Sequence, residues 1–217
     1  HSPQASWSIL ESRDAIGGTW DLFRYPGIRS DSDMYTLGYS FKPWVDHKSI
    51  ADGSTIRQYI QKTADENGIT PHIRHGHSVT HATWSSDEAC WTITVSQKRS
   101  DQPVILKARF LYLCCGYYSY AAGHRPTFDG EADFQGRIVE PQFWPRDLNH
   151  AGKQVVVVGS GATAVTLVPE MAKTAAQVTM LQRSPTYFYC HPNQNELADR
   201  LRQIGIDEPT IHRVVRA

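Results

Sequence analysis

Residues 154–164 read QVVVVGSGATA, and the reading of this stretch decides the fold. Four consecutive valines, Val155 to Val158, predict a strand. Gly159 permits the tight bend that follows it. Gly161 brings no side chain to obstruct a pyrophosphate. The chain then turns helical from Ala162 to about Ala172, so Ala162, Thr163, Ala164 and Val165 form a helix N-terminus whose free N–H groups and dipole favour phosphate. Ser160 lies within the turn itself. A bare G-x-G carries little weight, but G-x-G-x-x-A between a strand and a helix is a strong dinucleotide signal.

Outward from that turn, Val178 to Leu181 supplies the second strand of a βαβ unit and closes on Gln182-Arg183-Ser184. A site for NAD carries an acid at this strand end, to bind the ribose hydroxyls. Arg183 and Ser184 are instead a cation and a hydroxyl, suited to the 2′-phosphate of NADP. A helical pattern from Glu196 to Ile204 follows, with no further strand to extend the sheet.

The earlier part of the chain looks like the end of a second such unit. Trp7 to Glu11 reads as a short strand closing on a carboxylate, where Glu11 can accept from both ribose hydroxyls of an adenosine. Gly17-Gly18-Thr19-Trp20 offers a flexible backbone for a second dinucleotide. The matching glycine turn is expected about thirty residues before Glu11, from the size of a βαβ unit, so the chain is expected to open in mid-domain. A helix is predicted from an N-cap at Ser54 to about Asn67, with Ile56, Tyr59 and Ile60 as its apolar stripe and Gly68 as its stop. Three strands follow, over Ser78–Trp84, Cys90–Val95 and Val104–Cys114. Trp91, Ile93 and Val95 alternate with polar residues, which predicts an antiparallel meander turning at Asp87-Glu88 and at Gln97–Gln102. The third strand is almost continuously apolar and is expected to enter a buried parallel sheet before Gly116.

Composition narrows the function classes. Lys plus Arg and Asp plus Glu both number 22, so no global field attracts nucleic acid or an anionic membrane. No apolar run is long enough to span a bilayer. The four cysteines show no C-x-x-C spacing; Cys114 and Cys115 are expected to be buried free thiols, and a reducing cytoplasm is the expected compartment. His72, His75, His77 and His81 sit on a strand–turn–strand with no cysteine or carboxylate to complete a ligand set, so they read as surface or packing residues and no metal is expected.

Taken together, these segments resemble the class B flavoprotein monooxygenases, the flavin-containing and type I Baeyer–Villiger enzymes. The FAD-binding stretch of that family is similar to Glu11-Ser12-Arg13, Gly17-Gly18-Thr19-Trp20-Asp21 and Arg24 to Ser32. Phe134-x-Gly136 with Trp144-Pro145 is similar to the fingerprint F-x-G-x-x-x-H-x-x-x-W-P, except that Glu140 stands at the histidine. GSGATAV and LQRSPTY most resemble the ethionamide-activating branch. The resemblance implies two Rossmann-like α/β domains, both incomplete in this chain: residues 1–150 as a partial FAD domain with the meander and a linker, and 151–217 as a partial NADP domain. It implies that NADPH reduces FAD, and that the flavin carries O₂ as a C4a-(hydro)peroxide which oxidises a ketone, sulfide or amine.

Carried residue by residue, Glu11 would hold the FAD ribose. Gly18, Thr19, Trp20, Asp21 and Leu22 would line the flavin, and Val79 would meet the adenine through its backbone. Arg29, Ser30 and Asp31 would lie where flavin and nicotinamide meet, with Asp31 and Arg29 as the catalytic-site candidates; the plainer role for Asp31 is a turn-capping aspartate. Glu140, a negatively charged group that only accepts hydrogen bonds where histidine can also donate, bears on coupling between the cofactors or faces solvent. Two other readings share parts of the layout. A disulfide reductase would need a spaced redox pair that Cys114-Cys115 does not offer. A non-catalytic NADP-binding module is the reading that Glu140 raises.

Overall fold

The computed structural model describes residues 4–216. In chain order the elements are β1 (Ile9–Glu11), α1 (Thr19–Leu22), α2 (Met34–Leu37), α3 (Gly53–Glu66), β2 (Ile73–His75), β3 (His77–Ser85), β4 (Cys90–Gln97), β5 (Ser100–Ala108), β6 (Gln154–Val158), α4 (Ala162–Met171), β7 (Gln177–Leu181), α5 (Glu196–Gln203) and α6 (Glu208–Arg216). They form two compact units. One joins the residues up to Asp21 to Arg57–Ala121, and the other joins Leu22–Ile56 to Ala122 onward. This is an α/β fold with two pieces of parallel sheet and one antiparallel meander.

In the first unit β1 and β2 run parallel, pairing Ile9 with Ile73 and Glu11 with His75. Parallel neighbours need a crossover, and α3 lies within it. That helix begins at Gly53, one residue before the expected cap at Ser54, because the Gly53 N–H donates to the Ile28 carbonyl at 2.9 Å and the Ile56 N–H already bonds to Asp52. The meander forms in the order β3-β4-β5, with Ile93 and Val95 buried on one face of the central strand as the alternation requires. Its second turn is tighter than expected, since Ser100 to Gln102 already belong to β5 and only Lys98-Arg99 turn. A bulge between Val79 and His81 shifts the register of β3, so His77 and His81 no longer share a face as a regular strand would have them.

Two expectations fail at the end of the meander. The third strand stops at Ala108 rather than Cys114; Phe110, Tyr112 and Leu113 are 84%, 90% and 76% exposed. Cys114 and Cys115 are exposed thiols, not buried ones. The reason is common to both. A continuously apolar strand needs cover on both faces and a partner along its edge, and no strand among the described residues lies beside this segment.

The second unit is built on the βαβ unit. β6 and β7 pair in parallel from Gln154↔Gln177 to Val158↔Leu181. Val155, Val157 and Val178 face α4, where Leu167 and Met171 are buried, and Tyr25, Phe23, Ile28 and Trp144 complete this cluster. The loop entering from Tyr25 is therefore docked on the helix of the dinucleotide turn. Gly27 fixes the docking: its φ is +76°, and a Cβ there would collide with the Glu170 side chain and stand 2.8 Å from the Thr166 carbonyl oxygen. The two short helices at the ends of this unit's loops carry their own caps. Asp33 accepts from the Thr36 N–H at 2.9 Å to start α2, and Asp207 accepts from Thr210 at 3.0 Å to start α6. The helix α6 goes beyond the expected tail; the signal for it was Asp207-Glu208-Pro209, a cap followed by an acid and a first-turn proline.

The expected consequence is that Gly27→Ala lowers stability by about 2–4 kcal/mol, adding backbone strain to overpacking against α4. Urea denaturation measures it, and a loss under about 0.5 kcal/mol, the range of a neutral surface change, would show that the contact with α4 is not tight.

Candidate functional site

The glycine turn has the geometry of an open anion cradle. Gly159 adopts φ +122°, and its N–H donates to the Leu181 carbonyl at 2.8 Å, which ties the turn to the end of β7. Gly161 is the N-cap of α4 and supplies no side-chain cap. The first backbone bond of the helix runs from the Val165 N–H to the Gly161 carbonyl at 3.1 Å, so the N–H groups of Ala162, Thr163 and Ala164 have no acceptor within the helix. A Cβ added at Gly159 or Gly161 would meet nothing within 4 Å. Packing inside this unit thus does not require the second glycine, whereas a ligand lying on the turn would. Ala164 is buried under the turn.

Arg183 and Ser184 follow β7 after one residue, Gln182, and are exposed. Ser160 bridges the two halves of the cradle, with its hydroxyl 3.4 Å from the Ser184 carbonyl and 2.9 Å from the Thr186 hydroxyl. Thr186 was not singled out from the sequence. Its only signal was its place just after the Arg-Ser pair.

In the other unit Glu11 ends β1, and its Oε1 accepts the Arg13 N–H at 2.8 Å. Asp21 is not an open side chain. It is buried, with Arg13 at 2.7 Å and Arg57 at 3.6 Å. Arg13 also donates to the Gly18 carbonyl at 3.3 Å and lies over the Tyr120 ring. The Gly18 to Leu22 stretch is therefore braced from within by a charged strut, with Thr19 and Trp20 partly buried in the first turn of α1. Arg13, Arg57 and Tyr120 were not assigned roles from the sequence, because nothing local relates them to Asp21. Val79 is on β3, 41% exposed.

The Arg29-Ser30-Asp31 loop lies along residues 49–53 in a short ladder. Ser30 N–H donates to Ala51 carbonyl at 2.9 Å, Ala51 N–H to Ser30 Oγ at 3.2 Å, and Met34 N–H to Ser49 carbonyl at 2.7 Å. Ser30 is 1% exposed, so its hydroxyl serves the ladder. Arg29 and Asp31 on either side are exposed. The capping role open to Asp31 falls to Asp33 instead.

Within the fingerprint, the Phe134 ring lies over Gly136 and leaves no room for a Cβ, and Trp144 packs on the α4 cluster. Glu140 precedes a 3₁₀ turn at Pro141–Phe143, with Oε1 3.9 Å from Arg125 Nε; Arg125 also pairs with Glu131.

If the turn holds a dinucleotide, Gly161→Ala separates folding from binding. The urea midpoint should stay within error, because the added Cβ meets nothing within 4 Å, while dinucleotide affinity measured by calorimetry falls about tenfold or more. Unchanged affinity would place the ligand elsewhere.

The flavin-binding monooxygenase-like (FMO-like) family pattern matches residues 30–195. An FAD-containing monooxygenase, EthA of Mycolicibacterium smegmatis, is 55% identical over 199 residues, covering 91% of this chain and 40% of that protein. The crystal structure of OTEMO in complex with FAD and NADP superposes with a TM-score of 0.70 at 29% identity, over 89% of this chain and 38% of that one. Oxidised steroid monooxygenase bound to NADP gives 0.72 at 31% identity, over 86% and 35%. The chain spans about two fifths of the length of the curated relatives it matches. With a strand–glycine turn–helix unit, the fingerprint segment and the family pattern across most of its length, this chain belongs to the flavin-binding monooxygenase-like family.

Proposed function

We propose that this chain supplies FAD- and NADP(H)-binding parts of an NADPH-dependent monooxygenase that places one oxygen atom of O₂ on a ketone, sulfide or amine. The observation that carries the reading is the cradle at Gly159–Ala164, with Arg183 and Ser184 at the adjoining strand end. The N–H groups of Ala162 to Ala164 would hold the pyrophosphate. The Arg183 guanidinium, which has no acid beside it among the described residues, would pair with the 2′-phosphate, and Ser184 would add a hydroxyl. Segment 151–217 is in this reading the NADP part and 1–150 the FAD part.

For FAD, Glu11 would bind the ribose, and Gly18, Thr19, Trp20 and Leu22 would line the isoalloxazine, with Val79 at the adenine. Asp21, committed to Arg13 and Arg57, would act by fixing that stretch rather than by touching the cofactor. When bound, the flavin supplies the chemistry that joins NADPH oxidation to O₂ reduction. Asp31 and Arg29 would orient the nicotinamide carboxamide, a carboxylate accepting its N–H and a guanidinium donating to its oxygen. Ser30 would contribute by holding the two in place. The overall balance is substrate + O₂ + NADPH + H⁺ → oxygenated substrate + NADP⁺ + H₂O.

No helix among the described residues is long and apolar enough to cross a membrane. A cytoplasmic location belongs to the same proposal and draws on the free thiols of Cys90, Cys114, Cys115 and Cys190.

The test is turnover under ¹⁸O₂ by a full-length flavoprotein carrying this chain, with a cyclic ketone or an aryl sulfide as substrate. One labelled oxygen should enter the product for each NADPH consumed, and the substrate that accepts it separates ester formation from sulfoxidation. Binding of NADP⁺ without oxygen transfer to any substrate would instead make this a non-catalytic nucleotide-binding protein.

A further inference from the structure

We propose that Arg202 is a positioning residue, which fixes the Arg29-Ser30-Asp31 loop by way of Tyr35 and the turn at Trp44–Lys48. The inference rests on the function proposed above and assigns to it a residue well outside the nucleotide motifs.

Arg202 lies on α5 with its side chain mostly buried. Its fork is fully used. Nε and NH2 donate to the two oxygens of Glu208 at 2.7 and 3.1 Å, NH1 to Asp199 at 3.2 Å and to the Tyr35 hydroxyl at 3.0 Å, and NH2 also reaches the Trp44 carbonyl at 3.5 Å. The guanidinium faces the Tyr35 ring as well. Tyr35 is 1% exposed and passes the contact on, donating its hydroxyl to the Asp46 carbonyl at 3.1 Å. Burial pushes the Tyr35 pKa up, which keeps that hydroxyl a donor. Trp44, also buried, closes the same turn by donating Nε1–H to the Lys48 carbonyl at 2.8 Å.

The gripped turn leads straight into residues 49–53, the strip against which Ser30 and Met34 are laddered. The middle of that strip is held from the same chain segment. The Asn193 amide accepts from the Ile50 N–H at 2.5 Å and donates to its carbonyl at 2.9 Å. Residues 193–208 therefore hold the strip that sets the height and direction of the Asp31 loop, and they begin just beyond Arg183-Ser184. Tyr35 itself is only four positions after Asp31, at the start of α2.

Stability alone does not explain this arrangement. A buried cluster of one cation and two acids gains little over well-packed apolar side chains. What an arginine fork adds is direction: its planar donors fix five acceptors on four residues in one geometry, which a lysine cannot do. Placement matters at this loop because a displacement of about 1 Å of a group orienting a substrate can cost up to about 100-fold in rate.

The test uses Arg202→Met, Arg202→Lys and the milder Tyr35→Phe in a full-length flavoprotein carrying this chain. NADPH affinity should stay within about threefold, whereas the rate of anaerobic flavin reduction at saturating NADPH should fall about tenfold or more. Lysine should not rescue it. Reduction rates within twofold of the parent, with only a lower denaturation midpoint, would make Arg202 a structural residue and overturn the proposal. A parent protein that does not oxidise NADPH at all would sink the functional reading instead. Amide exchange then still decides the positioning claim: in Tyr35→Phe and Arg202→Met, the amides of Ser30, Met34 and Ala51 should exchange faster while those of Val156 and Val157 keep their protection. Uniform acceleration through the unit would overturn it.

Discussion

Helix α4 does two jobs at once, and the second unit is arranged around that constraint. Its N-terminus carries no side-chain cap and leaves three N–H groups without an acceptor in the helix, as the phosphate site proposed there requires. Its side must bury Tyr25 and Ile28, so that the loop they introduce lies against the same helix. Gly27 makes the close approach possible, since any larger residue would meet the Thr166 carbonyl and Glu170. The loop carrying Arg29 and Asp31 is thus referenced to the helix of the glycine turn, and Arg202 and Asn193 hold the opposite strip. A few ångströms of slack in any of these contacts would move the candidate catalytic side chains relative to the phosphate cradle.

Charge is used in two different ways. Asp21 is buried and shared between Arg13 and Arg57, so it shapes the backbone of the glycine-rich stretch. Removing either partner class would leave an uncompensated charge, the costly outcome for a buried ion pair. Arg183, by contrast, is exposed with no acid beside it among the described residues, which leaves it available for the 2′-phosphate pairing proposed above. Glu140 is paired as Asp21 is, but at the surface. Its carboxylate faces Arg125, which also holds Glu131, so at this fingerprint position a surface ion pair stands where the family pattern has histidine. Such half-exposed pairs contribute at most about 1 kcal/mol, and the segment is held chiefly by Trp144 in the core and by Phe134 folded over Gly136.

What the sequence made legible was what local pattern controls. The valine run, the glycine turn and the second strand followed from spacing, and the meander followed from the alternation at Trp91, Ile93 and Val95. Partners far apart in the chain were not legible. Nothing near Asp21 points to Arg57, and nothing near Tyr35 points to Arg202. The strand expected through Phe110 to Cys114 failed for a related reason: an apolar run states that cover is needed, not that these residues provide it. The Asp31 and Asp33 positions show how fine the margin is. Both suit a cap, and only the start of α2 assigns the role to Asp33.

In the function proposed here, the cradle at Gly159–Ala164 with Arg183 selects NADP(H). The most direct measurement is parallel calorimetric titration of a full-length flavoprotein carrying this chain, and of its Arg183→Ala variant, with NADP⁺ and NAD⁺. A charge-assisted bond to the 2′-phosphate predicts NADP⁺ tighter by about tenfold or more, with the preference lost in the variant and NAD⁺ affinity unchanged. Equal affinities for the two nucleotides in the parent protein would contradict the account.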